Sequence, residues 1–70
     1  MTEYVVIYEQ ASDGGWGAYS PDLPGAVSAG DTREEVERNM REAIRLHLSD
    51  LRDRGRPMPK PSNFAGTVSV

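Results

Sequence analysis

Pro21-Asp22-Leu23-Pro24-Gly25, followed by Gly30-Asp31-Thr32-Arg33-Glu34-Glu35, carries the strongest structural signals in the chain. Proline fixes φ and glycine frees it, so two prolines bracketing Asp22-Leu23 and closing on Gly25 specify a stiff, exposed corner that no regular element crosses. Gly25 is expected at positive φ, where a side chain would be strained. Thr32 stands three residues before Glu35, the spacing of a capping box, in which side chains satisfy the orphan N–H groups of a helix start.

Working outward from that cap, the chain from Thr32 to Gly55 reads as one amphipathic helix. Val36, Met40, Ala43, Ile44, His47, Leu48 and Leu51 fall on one side, an arc about 140° wide at about 100° per residue. The other side carries Glu34, Arg38, Arg41, Glu42, Arg45 and Arg52. Glu34/Arg38 and Glu37/Arg41 are in the favourable i,i+4 order. Gly55 is placed to terminate the helix, with Arg52 and Arg54 beside the negative end of its dipole.

Upstream of the corner the apolar period changes. Tyr4-Val5-Val6-Ile7-Tyr8 is β-branched and aromatic and reads as a strand, with Val5 and Ile7 on one face and Tyr4, Val6 and Tyr8 on the other. Ser12-Asp13-Gly14-Gly15 is a hairpin turn that returns Trp16 to Ser20 antiparallel to it. A short third strand is expected over Ala26 to Ala29. After the helix, Pro57-Met58-Pro59-Lys60-Pro61 leads to a last strand, Gly66 to Val70. The predicted architecture is α+β, in the order β-β-β-α-β: a small antiparallel sheet with one amphipathic helix packed on one face. One helix covers one sheet face, so the other face calls for a neighbour, and a homo-oligomer, in the form of a dimer, is expected.

Composition narrows the function. Seventy residues make one domain, and a chain this short buries only about 60–65% of the surface its unfolded form exposes. There is no cysteine, so disulfides, thiolate zinc sites and a Cys nucleophile are excluded. A net charge of −3 and a pI of about 4.9 argue against a surface that tracks a phosphate backbone, and favour a basic partner. The first apolar run is too short for a membrane span or a signal sequence, which makes the cytoplasm the expected location.

Few residues carry catalytic chemistry. Asp22 and Asp31 flank the third strand and, as an alternative function, could serve a small metal-dependent hydrolase or nuclease. The simpler role is that Asp22 supports the turn and Asp31 the helix start. His47 lies within the apolar arc without companions for a metal site and reads as a packed helix histidine. Trp16, Tyr4, Tyr8 and Tyr19 lack interleaved basic residues, so core packing or a protein interface is expected of them rather than base stacking. No cofactor and no catalytic residue is assigned. A ligand-binding dimer of unknown specificity is a further alternative.

The order of these pieces resembles the N-terminal domain of HicB-type antitoxins over nearly the whole chain. It runs from a strand through Trp16 after the glycine turn, the PDLPG corner and G-D-T-x-x-E to the helix and a proline-bearing connection. Ala26 stands where a cysteine is frequent in that family. The resemblance implies a truncated ribonuclease H-like fold and, without a cofactor, the binding and occlusion of a small basic HicA-type toxin that cleaves RNA. Typical members continue into a DNA-binding module. Residues 1–70 are expected to form a single HicB-like domain with no separate DNA-binding module, and so no direct DNA binding. The residues expected to meet the toxin are Asp13 at the hairpin tip, Asp22 and Leu23 on the corner, and Glu34, Glu35 and Glu42 along the outer helix.

Overall fold

The computed structural model describes residues 2–70. Strands β1 (Ile7–Gln10), β2 (Trp16–Tyr19) and β3 (Val27–Gly30) form an antiparallel sheet in the order β1-β2-β3, followed by helix α1 (Arg33–Asp53). The α+β class and the single helix on one sheet face match expectation. The register sets Tyr8 opposite Ala18 and Ala18 opposite Ser28, all facing α1. Ile7, Tyr19 and Val27 form the neighbouring row on the outer face, where Tyr19 and Val27 are exposed.

The first strand begins three residues later than its apolar run. Ile7 pairs with Tyr19, and continuing that register would set Val5 against Pro21, which has no N–H to give to a ladder. The corner therefore ends the pairing, and Tyr4 to Val6 run on without a partner strand. Tyr4, Val6 and Tyr8 still pack against the core.

The core is built from Ala18, Leu23, Ala26, Val36 and Met40. Leu23, Val36 and Met40 are fully enclosed, and each such side chain contributes about 1.5–3 kcal/mol over its exposed state. Helix α1 lies chiefly across β3 and, less closely, β2. Two side-chain bonds tie it down: Ser28 Oγ donates to the Val36 carbonyl at 3.2 Å, and Asn39 Nδ2 donates to the Ala29 carbonyl at 2.9 Å. Gly30 is required at this junction, because a Cβ there would lie 3.0 Å from the Val36 nitrogen and 3.1 Å from Glu35 Cγ.

Both helix ends follow their local signals. Thr32 is the N-cap, its hydroxyl accepting from the Glu35 N–H at 3.1 Å, while Glu34 and Glu35 in the first turn complement the dipole. At the other end Gly55 (φ 70°) donates to the Arg52 carbonyl and Arg56 to that of Leu51, the paired bonds of a Schellman motif.

Residues 66–70 do not form the expected fourth strand. Among the described residues no strand runs beside them, so the ladder that would define one is missing.

Candidate protein-interaction site

The corner between β2 and β3 is two turns back to back. The Leu23 N–H donates to the Ser20 carbonyl at 3.1 Å, and the Ala26 N–H to the Leu23 carbonyl at 3.0 Å. In the second turn Pro24 and Gly25 hold the central positions. Gly25 has φ 96°, as a type II turn requires of its third residue. Leu23 thus ends one turn and begins the next, and its side chain is driven into the core with 0% exposure. The expectation that Leu23 projects toward a partner is corrected: it is a plug beneath the corner. His47 packs from the helix side, with its Cε1 3.9 Å from where a Gly25 Cβ would stand. It is half-buried, as its place in the apolar arc implied.

Asp22 faces the opposite way and holds the segment that follows the helix. Its carboxylate accepts from Ser62 Oγ at 2.8 Å, Asn63 Nδ2 at 2.7 Å and the Asn63 N–H at 3.2 Å. Partial desolvation pushes its pKa up, but the hydrogen bonds from Asn63 and Ser62 outweigh that and hold the carboxyl below its ordinary value. Tyr4 makes a second tie, donating its hydroxyl to the Pro59 carbonyl. Asp22 is therefore a clip for residues 62–63, and its charge is already engaged. Its partners lie 40 and 41 residues away, a separation at which no local pattern reveals a bond.

Asp22 and Asp31 do not converge. They sit before and after β3, whose four residues span about 13 Å at about 3.3 Å each. Among the described residues no group of three or more His, Cys, Asp or Glu is arranged to hold a metal ion. Asp22 is hydrogen-bonded to Ser62 and Asn63, and Asp31 lies in a separate groove with Asp13.

The other acidic residues do gather. Asp13 and Asp31 line one shallow groove of about 540 Å³, with Trp16, Gly15, Gly17, Ala29 and Gly30 between them. Asp13 also braces the hairpin, its Oδ1 accepting from the Gly15 N–H at 2.9 Å. Glu35 lies against Gly30, at 3.1–3.2 Å from a Cβ built there, and Glu34 is exposed on the same first turn. Asp13 and Asp31 thus flank a half-buried Trp16, which also packs against the core, and the first-turn acids of α1 adjoin them to form an acidic rim. Asp31, read from sequence as support for the helix start, belongs to this rim. The pairing of groove residues across β2 and β3 brings it there, which the sequence spacing alone does not show.

Glu42 stands apart from the rim, in an exposed ion pair with Arg45 at 3.9 Å. Beyond it the helix turns basic. A groove of about 550 Å³ near its C-terminal end is lined by Arg45, Arg52 and Arg56 with Leu48, Leu51 and Met58. Asp50 and Asp53 pair with Arg54 and Arg52 at that end, and Arg33 stands among the first-turn acids, so the polarity is one of net charge, negative at the start of α1 and positive at its end. Tyr8 lies between, under the Arg33 guanidinium at 5.4 Å, and desolvation, reinforced by Glu37, raises its pKa. No described helix is long and apolar enough to cross a membrane.

Comparison with known proteins identifies the family. The family described as HicB_like antitoxin of bacterial toxin-antitoxin system matches residues 4–69. A UPF0150 protein of Synechocystis is 39% identical over 67 residues, covering 96% of this chain and 85% of the relative. Among solved structures, the N-terminal domain of the Burkholderia pseudomallei antitoxin HicB superposes with a TM-score of 0.70 at 27% identity, covering 90% of this chain and 69% of that one. A HicA3 and HicB3 toxin-antitoxin complex contains a chain with the same TM-score at 31% identity, covering 87% and 70%. The chain belongs to the family of HicB-like antitoxins of bacterial toxin-antitoxin systems.

Proposed function

We propose that this chain neutralises a small basic, RNA-cleaving toxin of the HicA type by binding it and covering its active surface, in the cytoplasm and without a cofactor. The observation that carries the reading is the polarised surface of a HicB-like domain. Asp13 and Asp31 line the groove beside Trp16, with Glu34 and Glu35 on the adjoining first turn of α1 outnumbering Arg33 there, whereas Arg45, Arg52 and Arg56 line the groove at the other end. A protein that binds RNA presents basic residues for the phosphates. A ring of carboxylates competes for those same residues. Charges on a rim steer the encounter and an aromatic anchor at its centre slows dissociation, a division of labour that this groove supports.

The acidic rim replaces the corner as the toxin-facing surface. Leu23 is buried, and the Asp22 carboxylate is committed to Ser62 and Asn63. Asp13, Glu34 and Glu35 remain in the proposed surface, Asp31 joins them, and Glu42 contributes to long-range attraction only.

The test is charge reversal at the rim. With a basic toxin encoded beside this chain, Asp13→Lys and Asp31→Lys should slow association and flatten its dependence on salt, while Glu42→Lys should change both less. Unaltered rates and salt slopes in the two rim variants would move the interface elsewhere.

A further inference from the structure

Residues 64–70, Phe-Ala-Gly-Thr-Val-Ser-Val, carry no charge, and from Thr67 onward polar and apolar side chains alternate. Phe64, Val68 and Val70 share one side of an extended chain with Gly66, and Ala65, Thr67 and Ser69 share the other. Yet the segment stands away from the body, with Phe64 at 85% and Val68 at 86% exposure. The radius of gyration is 13.3 Å, against about 11 Å for a compact domain of this length. The departure is not random. The Asp22 clip at Ser62 and Asn63 and the Tyr4 bond to Pro59 fix where the segment leaves, beside Thr2 to Val5 in a groove that also includes Phe64 and Ala65.

The same chain carries a matching vacancy. Of the two sheet edges, β3 lies under α1 and has its Ala29 carbonyl taken by Asn39. Among the described residues the β1 edge has no strand beside it. Between β1 and α1 runs a groove of about 440 Å³ in which Val6, Tyr8, Met40 and Ile44 are bordered by Glu37, Arg41 and Arg45. A strand added to the β1 edge would satisfy the free backbone groups there and turn alternate side chains into that groove.

We propose that residues 64–70 of one copy add as a fourth strand to the β1 edge of a second copy, and that the exchange is reciprocal. Phe64, Val68 and Val70 would enter the partner's groove over Val6, Tyr8, Met40 and Ile44, leaving Thr67 and Ser69 outward. Donor and acceptor lie on the same chain, so two copies satisfy each other in a closed, two-fold assembly that leaves neither strand free. A second copy is the favoured occupant because, among the described residues, the unpaired strand and the unpaired edge occur once each per chain, and because the uncharged strand offers Phe64, Val68 and Val70 to Val6, Tyr8, Met40 and Ile44 without setting a like charge against Glu37, Arg41 or Arg45. The expected fourth strand is thereby supplied in trans.

Light scattering at micromolar concentration should give twice the 7.7 kDa chain mass. Adjacent N–H groups of a strand point to opposite edges, so of Thr67→Pro and Val68→Pro one must remove a ladder bond. At least one should revert to a monomer with unchanged helical circular dichroism. A photo-crosslinking benzoyl-phenylalanine in place of Phe64, in an equal mixture of isotopically heavy and light chains, should yield heavy–light adducts to peptides containing Val6 and Tyr8 or Met40 and Ile44. A monomeric parent chain, dimers that survive both prolines, or adducts formed only within one chain would each overturn the proposal.

Discussion

Leu23→Ala separates the two roles open to the corner. On an exposed corner the substitution would cost almost nothing. As a plug, Leu23 is fully enclosed among Ala18, Ala26, Val36 and Met40. Truncation removes three carbon groups, about 2.4 kcal/mol at about 0.8 each, and the two turns that fix the backbone limit collapse into the space left behind. A cavity term therefore adds to the loss, and about 3 kcal/mol is expected, within the usual range of about 2–5 for such changes. At roughly 0.05–0.15 kcal/mol per residue the whole domain is held by only about 3.5–10 kcal/mol. With 4–8 °C lost per kcal/mol in a domain this small, the melting temperature should fall by roughly 12–24 °C. Thermal unfolding followed by far-UV circular dichroism, with urea unfolding as a check, measures it. A fall of under about 3 °C would refute the placement of Leu23 in the core.

Three further outcomes test the neighbouring structure. Gly25→Val forces a β-branched residue to φ 96° and should cost about 1–3 kcal/mol; since no atom lies closer than 3.9 Å to the new Cβ, backbone strain alone is at issue, and an unchanged urea midpoint would contradict it. Thr32→Ala removes the acceptor for the Glu35 N–H and should cost about 0.5–2 kcal/mol, whereas Thr32→Ser should restore most of it. The Asn63 amide resonance should titrate with a midpoint below 3.8, the ordinary value for Asp22. Because the folded pKa is the lower one, the clip's contribution is present in full above that ordinary value and is lost as pH falls through the folded midpoint. A midpoint at or above the ordinary value would mean that the clip does not form.

What could be read in the sequence was local. Thr32 and Gly55 bound the helix through contacts within a turn of themselves, and both ends follow from residue type and spacing. Gly25 likewise needs only its neighbour Pro24 to specify its turn. The strands were less legible, because their limits depend on a partner: β1 starts at Ile7 since Pro21 stands across from Val5 and closes the ladder. The corner was legible as a corner but not in its orientation. Whether Leu23 or Asp22 points inward depends on how two turns join, and on the arrival of Ser62 and Asn63 from beyond the helix. The candidate site was half legible. Asp13, Glu34 and Glu35 stood out as exposed acids, but the convergence of Asp31 and Asp13 around Trp16 depends on strand pairing and helix placement together.

The proposed occlusion of a basic, RNA-cleaving toxin can be measured by titrating the purified chain into the toxin encoded beside it, with cleavage of a labelled RNA as the readout. Cleavage should fall in proportion to added chain and stop at a stoichiometric end point, coincident with formation of a complex. Cleavage that continues at full rate in the presence of a several-fold excess of the folded chain would show that the domain does not cover the toxin's active surface.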